Sequence, residues 1–269
     1  MNTLAAFSGP IPANYDKHLG PILFEPYALD LAARLKNNPL QQVLEIACGT
    51  GRVTRHLVQL LNDNGRLVAT DLNPDMMKIA QEKVDDPRVE WKLADAQDLP
   101  FPDESFDHIV CQFGVMFFPD KKLAFREAYR VLKPGGLYMF NTWGSKEDNP
   151  KMAVIREVMD ELFREENPDF LNKGPYSFFD EQEIRMWMEL AGFNKVSIER
   201  VKKTSLFTDL DSFINGFFVS SPLSAYLSQK DPSVRIGIQK RVVDEMKKRF
   251  PANDKEVDML AMVCGGRKG

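Results

Sequence analysis

The sequence predicts an α/β fold: a doubly wound, mostly parallel seven-stranded sheet, with a helical cap built from insertions after the fifth and sixth strands. Three observations carry this. Between residues 41 and 142, short runs apolar on both faces alternate with stretches of helical periodicity, the pattern of a parallel sheet covered on both sides. The first run ends in Cys48-Gly49-Thr50-Gly51 and leads into a helix. Residues suited to holding a ligand then recur just after the strand ends, where open sheets wound by right-handed crossovers bind.

The elements follow in order. Residues 43–47 form the first strand, and Val53, Leu57, Leu60 and Leu61 space the apolar face of a helix. A second strand at 66–71 precedes Asn73, an N-cap, and Pro74, a first-turn proline, with Met76, Met77 and Ala80 on the buried side of that helix. Strands at 89–93 and 106–112 come next. The helix at 121–132 stops at Lys133-Pro134-Gly135-Gly136 before a fifth strand at 137–142. The stretch 145–179 mixes helix and loop and carries Phe163, Phe170, Tyr176, Phe178 and Phe179. A helix at 180–190 closes on Gly192, strand six occupies 193–201, residues 208–254 are largely helical, and 257–264 is the last strand. The expected organisation is a binding core with its N-terminal segment (1–144), a cap (145–179 and 208–256), and the C-terminal part of the sheet (180–207 and 257–269). The cap aromatics suit either its own core or an apolar substrate pocket.

Composition narrows the class. The chain has 269 residues, 43% hydrophobic and 28% charged, which excludes disordered, collagen-like and disulfide-stapled chains. Thirty-five Lys and Arg against 39 Asp and Glu leave a net charge of −4, so no basic field gathers nucleic acid. Residues 230–249 are locally basic, seven Lys or Arg to three Asp or Glu, and read as a solvated helix face. Three scattered cysteines have no metal-ligand spacing and fit a reducing compartment. With no signal-like N-terminus and no membrane-length apolar run, a cytoplasmic protein without integral membrane contact is expected.

The chemistry concentrates at Val43-Leu44-Glu45-Ile46-Ala47-Cys48-Gly49-Thr50-Gly51. Glycines there let the backbone approach a ligand, and the helix start offers free N–H groups. Asp71, twenty residues beyond Gly51 at the next strand end, can accept both hydroxyls of a ribose. A dinucleotide fingerprint wants a third small residue where Thr54 stands, and a phosphate-binding Walker loop is excluded because no Gly-Lys-Ser/Thr follows.

With these residues the sequence resembles the class I S-adenosylmethionine-dependent methyltransferases, which have a Rossmann-like fold. Residues 43–52 resemble their first motif. Val68-Ala69-Thr70-Asp71-Leu72-Asn73-Pro74-Asp75-Met76-Met77 resembles the second, and Leu93-Ala94-Asp95-Ala96-Gln97-Asp98-Leu99-Pro100-Phe101 the segment that reads adenine. Phe106-Asp107-His108-Ile109-Val110 and Leu132-Lys133-Pro134-Gly135-Gly136 match later signatures. The likeness is greatest to the small-molecule branch that includes ubiquinone and menaquinone biosynthesis methyltransferases. The resemblance implies S-adenosylmethionine as cofactor. Ala47, Gly49 and Gly51 would pass beside its methionine part and Asp71 would hold the ribose. Leu72 and Met76 would pack on adenine, with Met76 equally readable as core. Asp95 and Ala96 would meet the adenine amine, Gln112 and Phe113 would line the sulfonium end, and Tyr15 would close over the cofactor.

A base is needed only if the acceptor must lose a proton. His108 lies within a strand and His56 faces away on the first helix, which leaves His18 as the candidate catalytic residue. The stretch after strand four reads Gln112-Phe113-Gly114-Val115 and lacks the Asn/Asp-Pro-Pro-Tyr of nucleic-acid and protein amino-methylating relatives, so a small, partly apolar acceptor is expected. Two other readings remain open at this point: a nicotinamide-dependent oxidoreductase, disfavoured by Thr54, and a non-catalytic cofactor-binding protein. The acceptor's identity and the oligomeric state stay open.

Overall fold

The computed structural model describes residues 7–164, 174–220, 222–251 and 253–269; Phe170 lies outside them. The strands are β1 (Leu40–Ile46), β2 (Leu61–Asp71), β3 (Val89–Leu93), β4 (Phe106–Gln112), β5 (Leu132–Trp143), β6 (Asn194–Leu206) and β7 (Glu256–Arg267). They form one sheet in the order β3-β2-β1-β4-β5-β7-β6. β1 to β5 pair in parallel, and β7 inserts antiparallel between β5 and β6. The winding reverses between β1 and β4, which opens the ligand crevice at their C-terminal ends.

Alternation sorts the central strands onto two covered faces. On one side Val43, Leu67, Val110 and Met139 pack with Ala28, Leu31 and Leu35 of α2 (Glu25–Leu35) and Leu57 of α3 (Thr54–Val58). On the other, Leu44, Ile46, Ile109, Cys111, Tyr138 and Phe140 meet Phe125 and Ala128 of α5 (Lys121–Val131). The expected cap of α4 (Pro74–Lys83) is present: the Asn73 side chain accepts from the amides of Asp75 and Met76. α7 (Glu181–Ala191), which packs on α5, is capped by Asp180 and ended by left-handed Gly192.

β1 starts at Leu40 instead of 43, β6 and β7 run on to Leu206 and Arg267 past the expected 201 and 264, and two further boundaries differ by bulges. The helix after Gly51 stops at Val58 and β2 starts at Leu61, opposite Leu40, before the register jumps to Gln42 opposite Arg66. β5 likewise starts at Leu132 opposite Phe106 and resumes at Leu137 opposite His108. The turn residues between are absorbed as extra length on one strand while pairing continues on both sides.

The N-terminal segment is α1 (Ile11–Asn14), a π-helix (Tyr15–Phe24) and α2. Pro21 sits inside the π-helix. Tyr27 anchors this segment to the far side of the sheet, its hydroxyl lying 3.0 Å from the Met259 carbonyl and 3.1 Å from that of Val201. Above it, α8 (Leu210–Ser220) lies on the π-helix and α1, and α10 (Pro232–Arg249) packs on α6 (Pro150–Leu162) and α8, with α9 (Pro222–Leu227) beside them. Buried Lys151 ties α6 to the base of β7 through Asp254 at 2.6 Å and the Phe250 ring. The basic face of α10 is largely ion-paired: Lys240 with Asp244, Arg241 with Glu161 and Arg249 with Glu157. All three cysteines are free and buried. No helix among the described residues is long and apolar enough to cross a membrane.

Candidate functional site

The β1–α3 turn is built by three consecutive odd-numbered residues in the left-handed region: Ala47 (φ 56°), Gly49 (φ 56°) and Gly51 (φ 76°). Gly51 has a second constraint, since a Cβ there would stand 2.9 Å from Ala80 Cβ of α4. The Cys48 amide continues the strand pattern by donating to the Thr70 carbonyl at 2.9 Å. Asp71 braces the turn from β2: its carboxylate accepts from the Gly49 and Asn73 amides, both at 2.8 Å. Burial raises this carboxyl above the usual aspartate range despite those hydrogen bonds.

Beyond the turn, Leu72 is 46% exposed, an apolar side chain left at the strand end. Met76 is buried, with its methyl 3.6 Å from where a Gly49 Cβ would be, so it packs beneath the loop. Asp95 is held by its own neighbour, accepting from the Gln97 amide at 2.9 Å, and Ala96 is buried in the core.

Tyr15, Ala47, Gly49 and Gln112 converge on one small cavity between the π-helix and the turn, together with Phe24, Glu45, Cys48, Thr50, Arg52 and Val53. Gly51, Asp71, Leu72, Met76, Asp95 and Ala96 do not line this cavity, and two further expected residues pack elsewhere. Phe113, itself at φ 50°, stacks on Trp143 at 4.1 Å and 15° and belongs to the aromatic core with Tyr27. His18 packs against α8, its Cβ 3.1 Å from where a Gly216 Cβ would be, and does not line the cavity.

Sequence reasoning passed over Glu45, Arg52 and Phe24. Arg52, nine-tenths buried, is clamped between Asp16 (3.0 Å) and Glu25 (2.8 Å), and lies so flat on Gly20 that no Cβ would fit there. Asp16 also accepts from Thr50 and pairs with Lys83; Glu25 also holds Arg55 and His56. These contacts hold both carboxylates below their usual range, against the effect of their burial. Glu45 is 1% exposed, and burial, reinforced by Asp71, raises its carboxyl to about 8. A lone acid inside an apolar strand was the available signal for Glu45. Nothing in the sequence links Arg52 to residues 16 and 25.

Three polar atoms of cavity residues are buried and have no partner among the described residues: Glu45 Oε2, Arg52 Nε and Gln112 Oε1. Buried polar atoms normally find partners. An acid, a cationic donor and an amide oxygen around one cavity suit a ligand that presents both an ammonium and a carboxylate, as the methionine end of S-adenosylmethionine does. Among the described residues no group of three metal-ligating side chains is assembled.

Comparison with known proteins agrees. Residues 44–140 match the family described as a methyltransferase domain. The ubiquinone/menaquinone biosynthesis C-methyltransferase of Proteus mirabilis is 30% identical over 188 residues, 65% of this chain and 74% of that protein. The demethylmenaquinone methyltransferase of Staphylococcus carnosus is 28% identical over 70% of this chain and 84% of its own length. Among solved structures, the YcgJ protein of Bacillus subtilis superimposes with a TM-score of 0.60 at 20% identity, covering 90% of this chain and 98% of that one. Phosphoethanolamine N-methyltransferase 2 of Haemonchus contortus, in complex with S-adenosyl-L-methionine, superimposes with a TM-score of 0.61 at 17% identity over 96% of this chain and 57% of that one. The structural neighbours speak for the fold, and the sequence relatives set aside the nicotinamide and non-catalytic readings. With motif, fold and relatives in agreement, the chain belongs to the class I S-adenosylmethionine-dependent methyltransferases.

Proposed function

We propose that this methyltransferase acts on a small, partly apolar acceptor of the quinol type, at a ring carbon. The observation that carries the reading is the character of the cavity beside Gln112. Beside Gln112 its lining is aromatic, Tyr15 and Phe24, and its charged groups, Glu45 and Arg52, are those proposed for the cofactor's methionine end. A flat, partly apolar acceptor is favoured beside those two rings. The names of the ubiquinone and menaquinone relatives support the same class.

In this reading Asp71 holds the cofactor's ribose, the Gly49 turn passes beside its methionine part, and Glu45 and Arg52 receive the ammonium and carboxylate. Leu72, Met76, Asp95 and Ala96 flank the adenine. When bound, S-adenosylmethionine supplies an already activated methyl group. The chain's own residues orient the acceptor and exclude water, and such positioning alone supplies several powers of ten in rate. Tyr15, Phe24 and Gln112, which line the cavity, would hold a ring carbon activated by its neighbouring hydroxyl against that methyl group. The methylated ring would regain aromaticity by giving up its ring proton to solvent as the product leaves.

The test is transfer of labelled methyl from S-adenosylmethionine to a panel of short-chain demethylquinols, simple phenols and amines, with Asp71→Ala as the site control. Label on the quinol ring carbon, lost in a folded Asp71→Ala protein, is expected. Transfer confined to amines overturns the acceptor class, and full activity in Asp71→Ala overturns the site.

A further inference from the structure

The Gln97 side chain joins the segment after β3 to the start of α5, 23 residues further along the chain. Its Nε2 donates to both oxygens of Asp95, at 3.1 and 3.2 Å, and its backbone amide donates to Oδ1 at 2.9 Å. Its Oε1 accepts from the Asp120 amide at 2.8 Å. Asp120 is the N-cap of α5, and its side chain accepts from the Leu123 amide. A capping box would satisfy the Asp120 amide with Glu or Gln at the place where this chain has Leu123, and Gln97 supplies that acceptor instead. Among side chains of this length only an amide does both jobs. A glutamate would turn a second carboxylate on Asp95, and a lysine could not accept from Asp120. The segment is tied to α5 at two other residues. Glu127 accepts from the Leu99 amide at 2.9 Å, and Arg130 donates to the carbonyls of Leu99 and Phe101 at 2.9 and 2.8 Å. Those bonds hold residues 99–101 whatever stands at position 97. What Gln97 adds is the aim of Asp95.

We infer that Gln97 is a positioning residue for the cofactor's base: it holds the Asp95 carboxylate where it accepts from an exocyclic amine, and so sets a preference for an amino over a keto purine. The inference rests on the proposed placement of adenine at Asp95. A carboxylate only accepts hydrogen bonds, so the adenine amine satisfies it, whereas a keto oxygen in the same place meets it acceptor to acceptor. That penalty is felt in full only while the carboxylate cannot turn aside. Gln97 grips both of its oxygens, and the grip is itself anchored on the first turn of α5. Oδ2 takes one bond from the described residues, at 3.2 Å, which leaves it a lone pair for the base.

Calorimetric titration of the full chain with S-adenosylhomocysteine and its 6-keto analogue S-inosylhomocysteine tests this, with circular dichroism to check the fold. The wild type should prefer the amino base by about tenfold to hundredfold, the range for one polar group left facing no partner. Gln97→Leu should cut that preference at least about fivefold by weakening S-adenosylhomocysteine, while the affinity of the keto analogue stays within about twofold. Gln97→Glu still offers an oxygen to the Asp120 amide and keeps α5 capped, but repels the Asp95 carboxylate. It should lose the preference to the same extent, and it decides the matter if the leucine variant does not fold. Asp95→Ala should show no preference at all. Equal weakening of both ligands in the two Gln97 variants, or an unchanged preference in both, overturns the role of Gln97 and leaves adenine at Asp95. A preference that survives in Asp95→Ala, or a wild type without one, overturns the adenine placement and the inference together.

Discussion

Replacing Glu45 by Gln should stabilise the fold and cripple the site, and the size of the gain follows from the structure. Glu45 is 1% exposed and titrates at about 8, against an ordinary value of 4.5. The folded value lies above the unfolded one, so folding retains a proton that the unfolded chain releases. Stability is therefore lost as pH rises from about 4.5 to about 8 and levels off above that. At about 1.4 kcal/mol per unit, the cost is under about 1 kcal/mol at pH 5, about 3 at pH 7 and nearly 5 at pH 9. Glutamine has the same shape and no titration, so Glu45→Gln should recover those amounts. For a chain of 269 residues, about 2 °C in Tm per kcal/mol is expected. The variant should then melt about 9 °C above wild type at pH 9 and within about 2 °C of it at pH 5. S-adenosylhomocysteine, whose ammonium pairs with the Glu45 carboxylate in the proposed site, should bind the variant at least about tenfold more weakly at pH 8. Paired thermal melts across pH, with and without ligand, read both effects. Equal melting temperatures at pH 9, or a gain that does not vary with pH, would refute the argument.

Two further outcomes are expected. Gly51→Ala should cost about 3 kcal/mol in chemical denaturation, combining left-handed strain with the Ala80 collision, whereas Gly135→Ala, at φ 77° with nothing within 4 Å of its Cβ, should cost only about 1–2 kcal/mol. Equal costs would deny the packing role of Gly51. His18→Gln should keep the methyl-transfer rate within about twofold and leave its pH profile unchanged, because the imidazole packs on Gly216 and not in the cavity. A hundredfold loss with one limb of the profile gone would make His18 the base.

What the sequence determined by itself is local. Buried parallel strands must be apolar on both faces, so their runs stand out from amphipathic helices; β3, β4 and α7 lie within a residue of where periodicity and caps put them, and α4 starts at its expected Asn73 cap. The Gly49 turn and Asp71 were legible because strand, glycine, helix and acid occupy fixed positions along one βαβ unit. Only the tertiary structure decided what depends on distant segments meeting. Phe24 and Tyr15 reach Gln112 through a π-helix that no periodicity signals, and Arg52 becomes a clamp only because Gly20, Asp16 and Glu25 arrive from 27 to 36 residues upstream. Glu45 reads as one polar residue in an apolar strand until burial shifts its proton affinity. Phe113 was correctly placed after β4 in the chain, yet its positive φ turns the ring onto Trp143, a direction set by packing between strands and not by its neighbours in sequence.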